Sequence, residues 1–250
     1  MGIRVCTADK MSRQSIRKTI IVISFILFPI TLYYFSPYLI IEALTQHVIA
    51  GSFIVFSLML IGSIFIGRLF CGWICPAGGL LESCTIINDH RITIKKAKLI
   101  KYLIWFPWIL TIMILLLLAK DNLRIDFFYQ TWYGISISDP YGFIIYFAVV
   151  FLIFILALTL GRRGFCHTVC WMAPFMQLGM WIQKKLHIPH LYLQATAEQC
   201  ISCNMCSKKC TMSLSVMELV KSGKIEDYDC ILCLECVDSC PKNIINLKLK

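Results

Sequence analysis

The chain has 250 residues, of which 58% are hydrophobic and only 15% charged, and its mean hydropathy is +0.75. A soluble domain carries about 25% charged residues, so this composition excludes an ordinary soluble fold and points to a membrane protein. The formal net charge of +10 suits an anionic lipid surface better than nucleic acid.

Four segments without Asp, Glu, Lys or Arg follow in chain order: 19–41, 48–67, 102–119 and 140–161. Each meets or approaches the ~20 residues that a helix needs to cross ~30 Å of hydrocarbon, so four spans are expected. Pro29 and Pro107 are tolerable there, because neighbouring helices can satisfy the carbonyls that a proline frees. The first segment exceeds the ~7–15-residue apolar stretch of a signal peptide and reads as a retained anchor. Met1-Gly2 resembles a myristoylation start, but Cys6 stands where Ser or Thr is needed. Five Lys or Arg precede the first span, six lie between the second and third, two between the third and fourth, and eleven after the fourth. The positive-inside rule then places both termini and the middle loop on the cytoplasmic side.

These features divide the chain into a basic N-terminus (1–18), a four-helix membrane domain (19–186), a linker (187–197) and a cysteine-rich module (198–250). The end of the membrane domain, "WMAPFMQLGMWIQKKL", is apolar and then basic and reads as an interfacial helix. Between the module's two cysteine motifs, "SLSVMELVKSGKIEDYD" reads as a short helix closed by Gly223, and "KNIINLKLK" as a terminal strand.

All fourteen cysteines fall on the expected cytoplasmic side or at its membrane boundary, a reducing compartment where metal ligation or redox chemistry is the default. "CISCNMCSKKC" and "CILCLECVDSCP" both have the spacing C-x2-C-x2-C-x3-C. In such a motif three thiolates hold one [4Fe-4S] cluster and the fourth reaches the other cluster. Cluster 1 is thus expected on Cys200, Cys203, Cys206 and Cys240, and cluster 2 on Cys230, Cys233, Cys236 and Cys210. Structural zinc is the alternative, though its Cys-x-x-Cys knuckles are more often well separated. Thr211 stands where the first motif would ordinarily have Pro, which can alter hydrogen bonding to a cluster sulfur.

A repeat connects the membrane domain to this chemistry. "RLFCGWICPAGGL" (68–80) aligns with "RGFCHTVCWMAPF" (163–175) at an offset of 95, matching Arg68 with Arg163, Phe70 with Phe165, Cys71 with Cys166 and Cys75 with Cys170. The fold class expected is therefore mainly α: four transmembrane helices as two repeated hairpins, each delivering one cysteine pair to the same boundary, plus a C-terminal α+β two-cluster bacterial-ferredoxin module. The i, i+4 spacing puts both thiols of a pair on one helix face. The four are candidates for a further metal or iron–sulfur centre, for redox-active dithiols, or for buried packing residues. Cys6 and Cys84 stand alone and are most simply structural or free. Candidate proton carriers are Glu42 and His47 at the outer side, and Glu82 and His167 near the pairs; of these His167, inside a pair, carries the most weight.

This combination resembles the membrane ferredoxins of the NapH and MauN type, with NosR and CcoG as more distant relatives. Trp171 after Cys170 departs from that family's CxxxCP pattern. The resemblance implies a bacterial inner-membrane, multi-pass protein that passes electrons between the quinone pool and a redox partner protein, as a possible quinol-oxidising subunit of an oxidoreductase. The alternative is an assembly factor whose clusters reduce a metal or thiol of a partner enzyme, and a sensor signalling by cluster loss ranks lower. No Cys-x-x-Cys-His haem attachment and no nucleotide-binding glycine loop occurs in the sequence.

Overall fold

A computed structural model describes residues 7–92, 97–119 and 123–249. Cys6 lies outside these, as do Arg4, Lys95, Lys96, Lys120 and Lys250 of the charge pattern. Helix α1 (Thr7–Ile26) ends at Leu27, and after a 60° bend the chain continues through α2 (Phe28–Thr31) and a 3-10 turn to Phe35, then α3 (Pro37–Thr45). Where the sequence suggests one span over 19–41, the structure has a broken one. The cause is two prolines without N–H donors, Pro29 and Pro37, each in the first turn of a new helix. The carbonyls freed by the break find partners elsewhere: Ile30 O accepts from the Ser136 backbone N–H at 3.1 Å, Phe35 O from Trp171 Nε1 at 3.1 Å, and Pro37 O from Trp108 Nε1 at 3.0 Å.

Strand β1 (Val48–Ala50) pairs in parallel with β2 (Arg124–Asp126) at the far end of the helices and leads into α4 (Gly51–Ile66). At 16 residues α4 is shorter than the segment 48–67 suggests, because Val48, Ile49 and Ala50 pair as a strand. Two short helices carry the first cysteine motif, α5 (Leu69–Trp73) and α6 (Pro76–Ser83). Next come α7 (Ala97–Ala119) and α8 (Pro140–Leu160), among the described residues the two unbroken helices long and apolar enough by length and composition to cross a membrane; the bent first helix passes the same test if its two arms count as one span. The chain is thus a largely helical membrane protein.

The second motif occupies α9 (Gly164–Thr168) and the start of α10 (Met172–Leu186). The helix α10 packs along α4. Its Gly179 makes this possible, since a Cβ there would stand 1.8 Å from Ser63 Oγ.

In the C-terminal module β3 (Leu191–Ala195) is the central strand of an antiparallel sheet, flanked by β4 (Lys224–Ile225) and β5 (Ile245–Leu249), with Leu193 facing Ile225 and Leu247. Much of the expected 187–197 linker is therefore part of the module's fold: alternating Leu191 and Leu193 turn towards its core. Helices α11 (Met205–Lys209), α12 (Val216–Lys221) and α13 (Glu235–Asp238) complete it. One continuous core runs from Phe56 and Ile153 among the membrane helices to Val220 and Ile245 in the module.

Candidate iron–sulfur sites and the cavity beneath them

The two four-cysteine motifs have the same backbone 30 residues apart. Ser202 and Asn204 flank Cys203 with φ of 54° and 59°, and Leu232 and Leu234 flank Cys233 with 48° and 63°. Left-handed geometry is costly for leucine, and it persists where the surroundings over-determine it. These positions curl each loop so that its cysteines face a common centre.

Cys200, Cys203, Cys206 and Cys240 line one small cavity with Val220, Ile244 and other apolar residues. Cys230, Cys233, Cys236 and Cys210 line another, with Leu193 and Ile225 on its wall. Each cavity thus takes three cysteines from one motif and the fourth from the other. Among the described residues, no group of three His, Cys, Asp or Glu converges as a single-ion site. Four thiols around an apolar hollow are the donor set that a [4Fe-4S] cluster uses, so the residues fit that group. Where the sequence has Thr211 in place of Pro, its Oγ1 lies 3.4 Å from Cys233 Sγ.

The membrane-edge motifs also share a backbone. In copy one Ile74 N–H and Cys75 N–H both donate to Phe70 O, at 2.9 and 3.0 Å; in copy two Val169 N–H and Cys170 N–H both donate to Phe165 O, each at 3.0 Å. The i, i+4 reading of one continuous helix face is corrected here. Each pair straddles a helix break, with Cys71 in α5 and Cys75 capping α6, and Cys166 in α9 with Cys170 just before α10. Proline at 76 and the doubled hydrogen bonds to one carbonyl explain the break. All four cysteines are buried and unbridged, and all four line a single cavity of about 860 Å³. Cys71 Sγ lies 3.5 Å from Met176 Sδ. Cys84, buried in a 3-10 turn, is not on that wall.

Copy one is pressed against the loop of the second cluster cavity. Gly72 is required there, because a Cβ would stand 2.3 Å from Ile231 O. Trp73 Nε1 donates to Leu232 O at 3.1 Å, and Gln14 Nε2 to Cys233 O at 3.0 Å. Three consecutive module residues thereby meet Gly72 and Trp73 of the membrane domain and Gln14 of the N-terminal segment.

Buried charges lock this interface. Arg17, Arg68, Lys101 and Arg163 are each at most 1% exposed. Arg17 grips both Glu82 oxygens at 2.9 and 2.8 Å, and Arg163 joins the same carboxylate while donating to Cys71 O at 2.8 Å. Asp229, next to Cys230, accepts from Lys101 at 2.9 Å and Gln177 at 2.8 Å and lies 3.4 Å from Arg68. Burial alone would raise the Glu82 carboxyl, but Arg163 and Arg17 outweigh it and bring it down to about 2. The four cations outnumber the carboxylates that meet them, Glu82, Asp229 and the more distant Glu235. Burial raises the Cys166 thiol and outweighs the lowering by Arg163 and Arg68 beside it.

Sequence reasoning named Glu82 as a proton acceptor, and the ion pairs correct that: it is a fixed anion at neutral pH. His167 is 1% exposed in α9 and does not line the cavity. Glu42 does, accepting from Gln130 Nε2 at 2.7 Å, whereas His47 is exposed at the strand pair, outside it. Tyr33 and Asp139 also line the cavity. The sequence offered no sign of them, because the bend at Leu27 and the loop packed against it bring them there. Arg17, Arg68 and Arg163 appeared only as topological charges, although the repeat of Arg68 in Arg163 was a usable signal.

Comparison with known proteins finds 4Fe-4S families over both regions of the chain. A family model described as 4Fe-4S dicluster domain matches residues 199–245, and one described as 4Fe-4S binding domain matches twice, at 48–87 and 141–189. MJ0750 of Methanocaldococcus jannaschii, an uncharacterized protein, is 27% identical over 190 residues, 74% of this chain and 73% of the relative. The Escherichia coli "Putative electron transport protein YccM" is 26% identical over 204 residues, 76% of this chain and 52% of the relative. NirI of Paracoccus denitrificans is 25% identical over 195 residues, which are 74% of this chain and 26% of NirI. No solved structure matches.

Proposed function

The chain belongs to the NapH/MauN type of membrane 4Fe-4S proteins, and from that premise we propose that it carries electrons between the quinone pool and a redox partner protein through two [4Fe-4S] clusters. The observation that carries this reading is the contact of Gly72 and Trp73, the two residues after Cys71, with the loop Ile231–Leu232–Cys233, which sets the cavity of the membrane domain against the second cluster site. When bound, the clusters supply one-electron carriage over a wide range of potential.

The chain's own residues do the rest. Cys200, Cys203, Cys206 and Cys240 hold cluster 1, and Cys230, Cys233, Cys236 and Cys210 hold cluster 2. Cys203 is exposed while Cys210, Cys233 and Cys236 are buried, so cluster 2 faces the membrane domain and cluster 1 faces the partner. Arg68, Lys101 and Gln177 position cluster 2 through Asp229. Cys71, Cys75, Cys166 and Cys170 supply the donors for a further metal or iron–sulfur centre at the cavity end.

The bent first helix, α4, α7 and α8 form the four membrane passes of two related hairpins, in a bacterial inner membrane with both termini cytoplasmic. Residues 1–18 form the basic N-terminus, 19–186 the membrane domain and 191–250 the cluster module, whose central strand is β3.

The test is anaerobic reconstitution of the protein, with absorption and low-temperature EPR. A quinol reduces the clusters and a quinone reoxidises them; failure of both removes the proposal. A variant with Cys71, Cys75, Cys166 and Cys170 changed to Ser should lose iron beyond that of the two module clusters, and unchanged iron would leave those four to dithiol chemistry or packing.

One observation favours a second reading, maturation of a partner's metal: the thioether of Met176 beside Cys71 adds to a soft donor set. A deletion strain with intact quinol-dependent electron flow but a partner lacking its metal would select it.

A further inference from the structure

The 860 Å³ cavity has two chemically opposite ends. One is walled by the four membrane-edge cysteines. The other holds the carboxylates of Glu42 and Asp139 and the phenol of Tyr33. Between them Tyr141, Ile145, Val149 and Ile153 line it at four-residue intervals along one face of α8. Those twelve residues of rise amount to about 18 Å, more than half of the ~30 Å hydrocarbon thickness. The volume lies within the ~300–1,000 Å³ typical of small-molecule sites.

Resting on the quinol reading above, we propose that this cavity parts the products of hydroquinone oxidation. Electrons leave at the cysteine end, and protons leave at the opposite end through Tyr33, Asp139 and Glu42, so each turnover moves charge across the membrane. Oxidation of one hydroquinone to the quinone breaks two O–H bonds and releases two protons and two electrons. The electrons go to two one-electron iron–sulfur acceptors.

Two features of the cysteine end close it to protons. Its nearby carboxylate, Glu82, is held by the guanidiniums of Arg17 and Arg163. Beyond the thiols stand Arg17, Arg68, Lys101 and Arg163, fully buried, and fixed cations of this kind raise an electrostatic barrier to proton passage. The other end has the reverse character. Glu42 and Asp139 are anionic oxygen acceptors, Tyr33 is a hydroxyl that can relay, and Asp139 is exposed and can release its proton to solvent. Trp171, beside Cys170, lines the wall between the ends and offers an aromatic face to a quinone ring.

The experiment uses cluster-loaded protein in liposomes, with orientation scored by protease access to the C-terminal module. Decylubiquinol is added, cluster bleaching is followed, and pH indicators are present on both sides. About two protons per quinol are expected on the side opposite the module. The double variant Glu42→Gln, Asp139→Asn should slow proton release and quinol-driven bleaching about tenfold or more, while dithionite still reduces the clusters with the wild-type EPR signals. Decylubiquinone should quench the fluorescence contributed by Trp171, a quench absent from Trp171→Phe. Protons on the module's side, or an unaffected double variant, overturn the vectorial proposal while the quinol reading stands. No Trp171 quench and no bleaching by quinol, with dithionite reduction intact, overturns both.

Discussion

Arg68 and Arg163 occupy one position of a duplicated motif, 95 residues apart, yet they face different partners. Arg68 reaches out of the membrane domain to Asp229 beside a cluster cysteine, whereas Arg163 turns inward to Glu82 and to the carbonyl of Cys71 in the other copy. Position 72 repeats the contrast: Gly72 admits the module's backbone, and its counterpart, 95 residues on, is His167, buried within its own domain. A shared backbone has been given two tasks. Copy one is the docking face for the clusters, and copy two is the brace that holds copy one in place.

The largest effect in testing this contrast is expected from the brace. Glu82→Gln leaves the buried Arg17 and Arg163 without their anion and should destabilise the protein by about 3–5 kcal/mol, seen as a lowered unfolding temperature of the detergent-solubilised protein. Its acid response tests the same pair. Because the folded carboxyl sits at about 2, below its ordinary value of 4.5, its stabilisation is complete above about pH 4.5 and is lost as the pH falls towards 2. Wild type should lose stability across that window more steeply than Glu82→Gln.

Docking comes next. Gly72→Val forces a side chain onto Ile231 O and should cost about 1–3 kcal/mol by overpacking, with faster proteolysis of the module. His167→Ala, at the same place in copy two, should leave the module's protease resistance unchanged. An equal response at both positions would remove the division of labour.

The smallest effect concerns one sulfur. Thr211→Val removes the hydroxyl beside Cys233 Sγ and should lower the potential of cluster 2 by about 40 mV, equivalent to about 1 kcal/mol for a one-electron couple, leaving cluster 1 unmoved in an EPR-monitored titration.

Much of this was legible in the sequence wherever a short spacing determines a local geometry. The two cluster loops, the helix closed by Gly223 and the final strand follow from nearby residues alone. Two prolines show where that legibility stops. Pro107 sits inside an unbroken α7, while Pro29 opens a new helix just after a break, and nothing in either local sequence separates them. The difference lies in distant donors: Trp108, Trp171 and Ser136 stabilise the broken backbone between Ile30 and Pro37. Hydropathy likewise reads Arg17 and Arg163 as flanking charges and cannot see that they share one carboxylate. The large cavity, built from that break, was invisible for the same reason.

The exchange of a fourth cysteine between the two module cavities bears on how the protein is made. Cys240 completes the wall around Cys200, Cys203 and Cys206, so the first cavity cannot be filled as soon as its own motif leaves the ribosome, whereas the second finds its fourth cysteine, Cys210, already made. The first three thiols must wait, reduced and uncommitted, while the next 34 residues, up to Cys240, are translated. Cluster delivery is thereby tied to a late moment in synthesis, after the membrane domain against which the module docks has been inserted.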